Sequence, residues 1–330
     1  MEITLCLIVR DEEKRLPTCL QSFKNVYSRL VIVDTGSTDS TKTIAKEWEA
    51  DIYDFTWCDD FSAARNFALQ QVKTEWVMVV DADDVMQDET KEKLLEELKK
   101  LSKDARGIFM PYSYSNVNNI SGFTTYLPRI WKTEFGYQYT LPIHEYLDIP
   151  KTDIPHFVRL PLPVVHKKDP SAYGKSVIRN LGILEKAVKR DPSQSRLLFY
   201  LGRENKSAGN YKDALDWYMK FTRIPGVSKD ELNRAYLGMG ECYSKLGLMK
   251  NAKEAYLQSI QVNASFAEGY LLLGDMALQQ KKYKQAARWY LEATKKQPPQ
   301  THVFVNMQLY NGHAKSKLCE ALYHIKEFAL

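Results

Sequence analysis

Three apolar runs in the first eighty residues each stop at acidic side chains. Residues 3–9 run into Arg10-Asp11-Glu12-Glu13, residues 30–33 into Asp34-Thr35-Gly36-Ser37-Thr38-Asp39, and residues 76–80 into Asp81-Ala82-Asp83-Asp84. The last run is apolar throughout and β-branched at Val77, Val79 and Val80. It reads as a parallel strand covered on both faces. Leu16, Leu20 and Phe23 then recur with helical spacing, and residues 41–49 continue as a helix. Strand, polar turn and helix in alternation predict an α/β domain with a mostly parallel sheet. Open sheets of this kind hold ligands outside the carboxyl ends of their strands, where these acids emerge. Asp81 and Asp83 repel each other unless a cation or a set of donors is present, and a diphosphate carried with Mg²⁺ or Mn²⁺ supplies that cation. The alternative is an acidic loop ahead of the charged helix 89–100. Asp34 is placed to accept hydrogen bonds from a uracil or ribose. Gly36 permits close approach there, and Ser37, Thr38 and Asp39 are expected to cap the following helix.

The order Leu7-Ile8-Val9-Arg10-Asp11-Glu12, Ile32-Val33-Asp34-Thr35-Gly36-Ser37-Thr38-Asp39, Asp59-Asp60-Phe61-Ser62-Ala63-Ala64-Arg65-Asn66 and Asp81-Ala82-Asp83 resembles family 2 of the glycosyltransferases, with the Rossmann-like GT-A fold. The resemblance continues through Arg129, Ile143-His144-Glu145 and Val165-His166, and so covers about the first 170 residues. One departure is Asp11, where relatives more often carry Asn.

The resemblance implies a role for each matching residue. Val9 and Glu12 lie beside the nucleotide base, Asp34 contacts the uracil or ribose, and Arg65 and Asn66 face the sugar-phosphate part of the donor. Asp81 faces the ribose and the metal, Asp83 coordinates the divalent cation, and His166 completes the metal site, imidazole favouring Mn²⁺. Arg129, in Leu127-Pro128-Arg129-Ile130-Trp131, is either a surface cation or the guanidinium that stabilises charge on the departing diphosphate. Glu145 is the expected base, which needs hydrogen-bond reach to the acceptor and a suitable pKa. His144 can orient it, bind sugar hydroxyls or serve as the base itself. Transfer in the family inverts the anomeric centre, as a single in-line displacement with one base requires.

The second half is organised differently. Gly202, Gly209, Tyr211, Ala214 and Tyr218 align without gaps on Gly240, Gly247, Met249, Ala252 and Tyr256, and again on Gly274, Lys281, Tyr283, Ala286 and Tyr290. The last two units are offset by the tetratricopeptide period of about 34 residues, and Ile224-Pro225-Gly226-Val227 is the expected insertion between the first two. Each unit reads as helix, turn, helix, with the alanines letting paired helices approach and aromatics filling the space between neighbours. Such units must stack to bury their apolar faces. Residues 177–190 form an amphipathic helix with Ile178, Leu181, Leu184, Ala187 and Val188 on related faces, and residues 303–329 a terminal helical cap. The expected domains are therefore 1–170, a GT-A transferase, and 171–330, an all-α tetratricopeptide domain.

Charge divides along the same line. Residues 1–170 carry 21 Lys+Arg against 27 Asp+Glu, and residues 171–330 carry 25 against 14. Solvated helix faces account for the basic half, an anionic acceptor, acidic protein or membrane surface being other uses. No base-reading motif accompanies the charge, so no nucleic-acid partner is expected. No apolar run reaches bilayer length, no signal peptide is evident, and five scattered cysteines fit reduced thiols in a cytoplasm. The expected activity is transfer from a UDP-sugar to a peptide, protein or glycan acceptor, in a layout similar to bacterial bacteriocin glycosyltransferases, with the repeats holding the acceptor or forming a homodimer. Two other readings are a nucleotidyltransferase, for which Arg10-Asp11-Glu12-Glu13 is a poor triphosphate loop, and a tetratricopeptide scaffold with an inactive transferase domain.

Overall fold

The computed structural model describes residues 1–116, 119–167, 173–299, 301, 303 and 305–327. The chain divides into two compact units, Met1–Pro170 and Ser171–Leu330, so the predicted boundary lies outside the described residues.

The first unit begins β1 (Ile3–Val9), α1 (Leu16–Phe23), β2 (Arg29–Asp34), α2 (Thr41–Glu47), β3 (Asp51–Asp54), α3 (Phe61–Gln70) and β4 (Trp76–Val79). It continues with β5 (Asp84–Val85), α4 (Asp88–Lys99), β6 (Gly107–Asn116), β7 (Asn119–Lys132), β8 (Gln138–Thr140), β9 (Tyr146–Asp148), β10 (Phe157–Arg159) and β11 (Val164–Lys167). The main sheet runs β3-β2-β1-β4-β7-β6-β11-β5, with β10 also paired to β6. Strands β3, β2, β1 and β4 are mutually parallel, and β7 enters antiparallel to β4. Leu5, Val31, Val33, Val77 and Met78 are completely buried, as expected for strands covered on both faces. Each such side chain contributes roughly 1.5–3 kcal/mol relative to exposure.

Register sets the location of the site. Val9 pairs with Asp34 and Cys6 with Val79, so β1, β2 and β4 end at one edge of the sheet. Beyond β4 the chain turns and pairs antiparallel with β11, putting His166 opposite Asp84. The far side of β11 pairs with β6, where Val164 lies opposite Tyr112.

The second unit is helical: α5 (Tyr173–Arg190), α6 (Ser195–Ala208), α7 (Tyr211–Thr222), α8 (Lys229–Lys245), α9 (Met249–Val262), α10 (Glu268–Gln279), α11 (Tyr283–Thr294) and α12 (Ala314–Glu327). The repeat glycines lie against the repeat tyrosines. A Cβ on Gly202, Gly240 or Gly274 would meet the ring of Tyr218, Tyr256 or Tyr290 at 2.6, 2.2 or 2.4 Å. These rings therefore fill space chiefly inside a repeat, whereas the sequence reading put them between repeats. Tyr218 also reaches Gly238 of the next unit. Two other expectations need correction. Leu184 and Ala187 of α5 are buried as expected, but Ile178 is 75% exposed and the buried face takes in Val177 and Ile183. The terminal helix starts only at Ala314, because Asn311 and Gly312 leave helical geometry.

Candidate active site

The turns after β1 and β2 are laced together. The Asp11 amide donates to Ser37 Oγ (2.9 Å), the Thr38 amide to Asp11 Oδ1 (2.8 Å), and the Glu13 amide to Asp39 Oδ2 (3.1 Å). The Glu12 amide donates to Thr41 Oγ1 (2.7 Å). Ser37 and Thr38, expected as helix caps, are instead ties between the turns. Asp39 does meet the start of α2, its Oδ1 accepting from the Thr41 amide (2.9 Å). Asp11 sits at φ +54°, a left-handed conformation that Asp and Asn tolerate best after Gly.

Asp34 is 2% exposed. Its Oδ1 accepts from the amides of Gly36 and Ser37, both at 2.9 Å, while Oδ2 is buried without a partner. An unsatisfied buried acceptor costs about 1–3 kcal/mol, which a donor on a ligand offsets. Val9 is also buried, and its carbonyl accepts from the Thr35 amide and hydroxyl. Burial pushes the Glu12 carboxyl up to about 7 despite the opposing charge of Arg15, whose Nε lies 2.7 Å away.

Helix α3 braces the loop that carries the His-Glu pair. Asp60 caps α3 by accepting from the Ala63 amide, and the Phe61 amide donates to the Pro142 carbonyl at 2.8 Å. Leu141 at φ +72° and His144 at φ +54° both occupy the left-handed region. Each costs about 1–3 kcal/mol and persists only where surroundings enforce it. Asn66 is part of that enforcement. Its amide nitrogen donates to the Tyr139 carbonyl (2.9 Å) and its oxygen accepts from the Tyr139 amide (2.7 Å), so the side chain holds β8 where a donor-facing role was expected. Arg65 joins two expected functional carboxylates, donating from Nε to Glu145 (2.7 Å) and from Nη2 to Asp81 (2.6 Å). Its Nη1 is buried without a partner.

Asp81, Asp83, Asp84 and His166 form one cluster, their ligand atoms all within 4.8 Å of one another. Burial opposes ionisation of Asp81, yet the guanidinium of Arg65, and next that of Arg129, hold its carboxyl well below the usual range. Asp84 is fully buried and already saturated. Its Oδ2 takes the Asp81 amide (2.9 Å) and lies 3.4 Å from Arg129 Nη2, while Oδ1 takes the Tyr112 hydroxyl (3.0 Å) and faces His166 Nδ1 (3.1 Å). Asp84 thus positions its neighbours rather than holding a ligand. Burial disfavours charge on His166, but Asp83 and Asp84 outweigh it and push the ring up to about 10. The same acids attract any cation.

Arg129 lies deeper than a leaving-group guanidinium should. It is 6% exposed, donates to the Val79 carbonyl (3.2 Å) and stacks on the Tyr112 ring at 4.2 Å. Its charge acts on both Asp84 and Asp81. Neither Asp84 nor Tyr112 was singled out from sequence as a site residue. The third acid of Asp81-Ala82-Asp83-Asp84 was the available signal for the first, while Tyr112 is one of twenty tyrosines and carries none.

A divalent cation fits what remains. Asp81, Asp83 and His166 would hold Mg²⁺ or Mn²⁺, an oxygen-rich set with one imidazole. Among the described residues, Glu12, Asp81, Asp83, Asp84 and Glu145 form ion pairs with Arg15, Arg65, Arg129 and the His166 ring, and a divalent ion would take the place of the His166 proton against this excess of acid. A cleft of about 170 Å³ adjoins Asp83, lined by Lys14, Arg15, Thr18 and Lys167.

The first unit is thus a mixed sheet whose parallel strands end at carboxylates, and the second is a run of paired helices. Residues 4–155 match Glycosyl transferase family 2 and residues 234–301 match the tetratricopeptide repeat, so the first unit contains a family 2 glycosyltransferase domain and the second belongs to the repeat class. The chain is 27% identical over 237 residues to the SPbeta prophage-derived glycosyltransferase SunS of Bacillus subtilis, a match covering 66% of this chain and 52% of that one. It is 47% identical over 83 residues to a TPR repeat-containing protein of Synechococcus elongatus, covering 25% of this chain and 21% of that one. The chain thus spans about half of the first relative and about a fifth of the second. The structure of S. aureus TarS 1-349 in complex with UDP-GlcNAc aligns at a TM-score of 0.46 and 15% identity, over 81% of this chain and 93% of that one.

Proposed function

We propose that the protein is a metal-dependent, inverting glycosyltransferase that moves a sugar from a nucleoside-diphosphate donor, a UDP-sugar in the first instance, to a peptide, protein or glycan acceptor. The observation that carries this reading is the meeting of Asp81, Asp83 and His166 at the sheet edge where β2 ends in Asp34 with an unpartnered oxygen.

Asp34 Oδ2 receives an N–H or O–H of the nucleoside, beside Val9 and Glu12. Asp81, Asp83 and His166 would hold a divalent ion, which would supply positive charge against the negative charge growing on the departing diphosphate. Arg65 Nη1 donates to the same growing charge, taking the part first assigned to Arg129. Glu145 removes the acceptor's proton while the acceptor atom bonds to the anomeric carbon, and the Arg65 bond fixes the orientation of its carboxylate. His144, held in a strained conformation next to it, contacts sugar hydroxyls. The repeat unit holds the acceptor or a second copy of the chain. Free thiols at Cys6, Cys19, Cys58, Cys242 and Cys319 fit work in a reducing cytoplasm.

The test is incubation with a panel of UDP-sugars and Mn²⁺ without acceptor, reading slow release of UDP, together with calorimetry on Asp83→Ala. Release with at least one sugar, and loss of metal-dependent donor binding in the variant, are the expected results. Absence of binding and turnover with every nucleotide sugar would leave an inactive domain on a scaffold. Wild-type binding by Asp83→Ala would remove the metal assignment alone.

A further inference from the structure

Tyr112 stands where three side chains of the acidic cluster meet, although no motif marks it. Val164 of β11 lies opposite it, and His166, two residues farther along β11, projects on the same face of the sheet. The phenol and imidazole rings are 5.3 Å apart. The Tyr112 hydroxyl lies 2.6 Å from His166 Nδ1, donates to Asp84 Oδ1 (3.0 Å) and is 3.5 Å from Asp81 Oδ2.

The phenol is itself held from behind. Its residue is 5% exposed, the Arg129 guanidinium covers its ring at 4.2 Å, and Arg129 is fixed in turn by the Val79 carbonyl and by Asp84. A ring packed this closely keeps its hydroxyl in one place. His166 depends on that hydroxyl more than on its other neighbours. Nδ1 also lies 3.1 Å from Asp83 Oδ1 and from Asp84 Oδ1, but carboxylates attract a cation as strongly as they attract the ring. A neutral phenol competes for a cation far less, so its contact with the imidazole persists when a cation is among the acids.

We infer that Tyr112 is a positioning residue that fixes the His166 imidazole in the cation site and thereby sets the preference of that site for Mn²⁺ over Mg²⁺. The inference rests on the proposed cation site of Asp81, Asp83 and His166. Carboxylates suit either ion, whereas imidazole suits the transition metal, so discrimination depends on the one nitrogen ligand. A side chain that hydrogen-bonds a metal-binding histidine contributes about 10–100-fold to metal affinity. Without the hydroxyl the ring is free to turn, and the loss falls on Mn²⁺.

The test is calorimetric titration of the full chain with Mn²⁺ and with Mg²⁺ in the presence of UDP, on the wild type, Tyr112→Phe, His166→Gln and the double variant, their fold checked by circular dichroism. Tyr112→Phe keeps the ring against Arg129 and removes the hydroxyl alone. Its Mn²⁺ affinity should fall roughly tenfold or more while Mg²⁺ affinity changes less, and the Mn²⁺ to Mg²⁺ ratio of His166→Gln should not change when Tyr112→Phe is added. A merely structural role weakens both ions alike. The electron spin echo of Mn²⁺ bound to the wild type should carry modulation from a directly bound nitrogen. An unaltered ratio in Tyr112→Phe, a further change of the ratio in the double variant, or a wild-type echo without nitrogen modulation overturns the inference and leaves a carboxylate cation site standing. A wild-type chain that binds neither ion removes the cation site itself, and this inference with it.

Discussion

The two units handle backbone strain in opposite ways. In the first, Asp11, Asn25, Glu49, Asp59, Leu141 and His144 take positive φ without being glycine, and Asp11, Asp59, Leu141 and His144 fall in or beside the predicted motifs. Among the described residues of the second unit only Lys281 does so, at φ +57°, where the other two repeats place Gly209 and Gly247. Asp34 Oδ2 and Arg65 Nη1 are buried without partners in the first unit and Asn233 Oδ1 in the second, while the repeats close each Gly-Tyr contact the same way three times. Where a fold only has to stack, each local choice agrees with the global one; strain collects where side chains must meet something from outside.

The largest effect should come from the strained loop. Glu145→Gln keeps the shape of the side chain and should leave donor affinity near wild type while slowing transfer by about 10²–10⁴-fold, the usual contribution of a positioned base. Steady-state kinetics with donor titration checks this, and an unchanged turnover number would assign the proton transfer to His144.

The repeat interior should respond in stability alone. A Cβ at Gly240 meets the Tyr256 ring at 2.2 Å, so Gly240→Val should destabilise the second unit by about 1–3 kcal/mol through overpacking. Gly182 in α5 has nothing within 4 Å of its added Cβ, and Gly182→Ala should stabilise by up to about 1 kcal/mol through helix propensity. Thermal unfolding of the two variants should shift in opposite directions. Equal shifts would show that the Gly-Tyr contact is looser than its geometry implies.

The smallest effect concerns pH. Because Asp83 and Asp84 raise His166 from its ordinary 6.5 to about 10, its protonation stabilises the folded first unit fully below pH 6.5 and progressively less as pH rises toward 10. With chelator present, denaturant midpoints should fall across that window in the wild type and fall less in His166→Gln. Parallel profiles would mean that His166 does not feel the acids.

Much of this was legible in the amino-acid order. The burial of β1, β2 and β4, the acids at their ends, the period of the helical half and the charge division all follow from local patterns, because strands alternate or run apolar by where they sit and repeats must copy their contacts. Asp34, Asp81, Asp83, His166 and Glu145 were named from motifs, and the structure brings Asp81 together with Asp83 and His166, and with Glu145 through Arg65. Tertiary structure alone decided what each side chain is engaged with. Asn66 turns to Tyr139, Arg129 goes under Tyr112, and Asp84 is filled by the Asp81 amide together with Tyr112, Arg129 and His166; apart from Asp81, these partners lie between 17 and 82 residues apart in the chain, beyond what a local pattern records. Pairing of β11 with β5 and β6 is what gathers His166, Asp84 and Tyr112, and strand register is a property of the folded sheet that no single segment encodes.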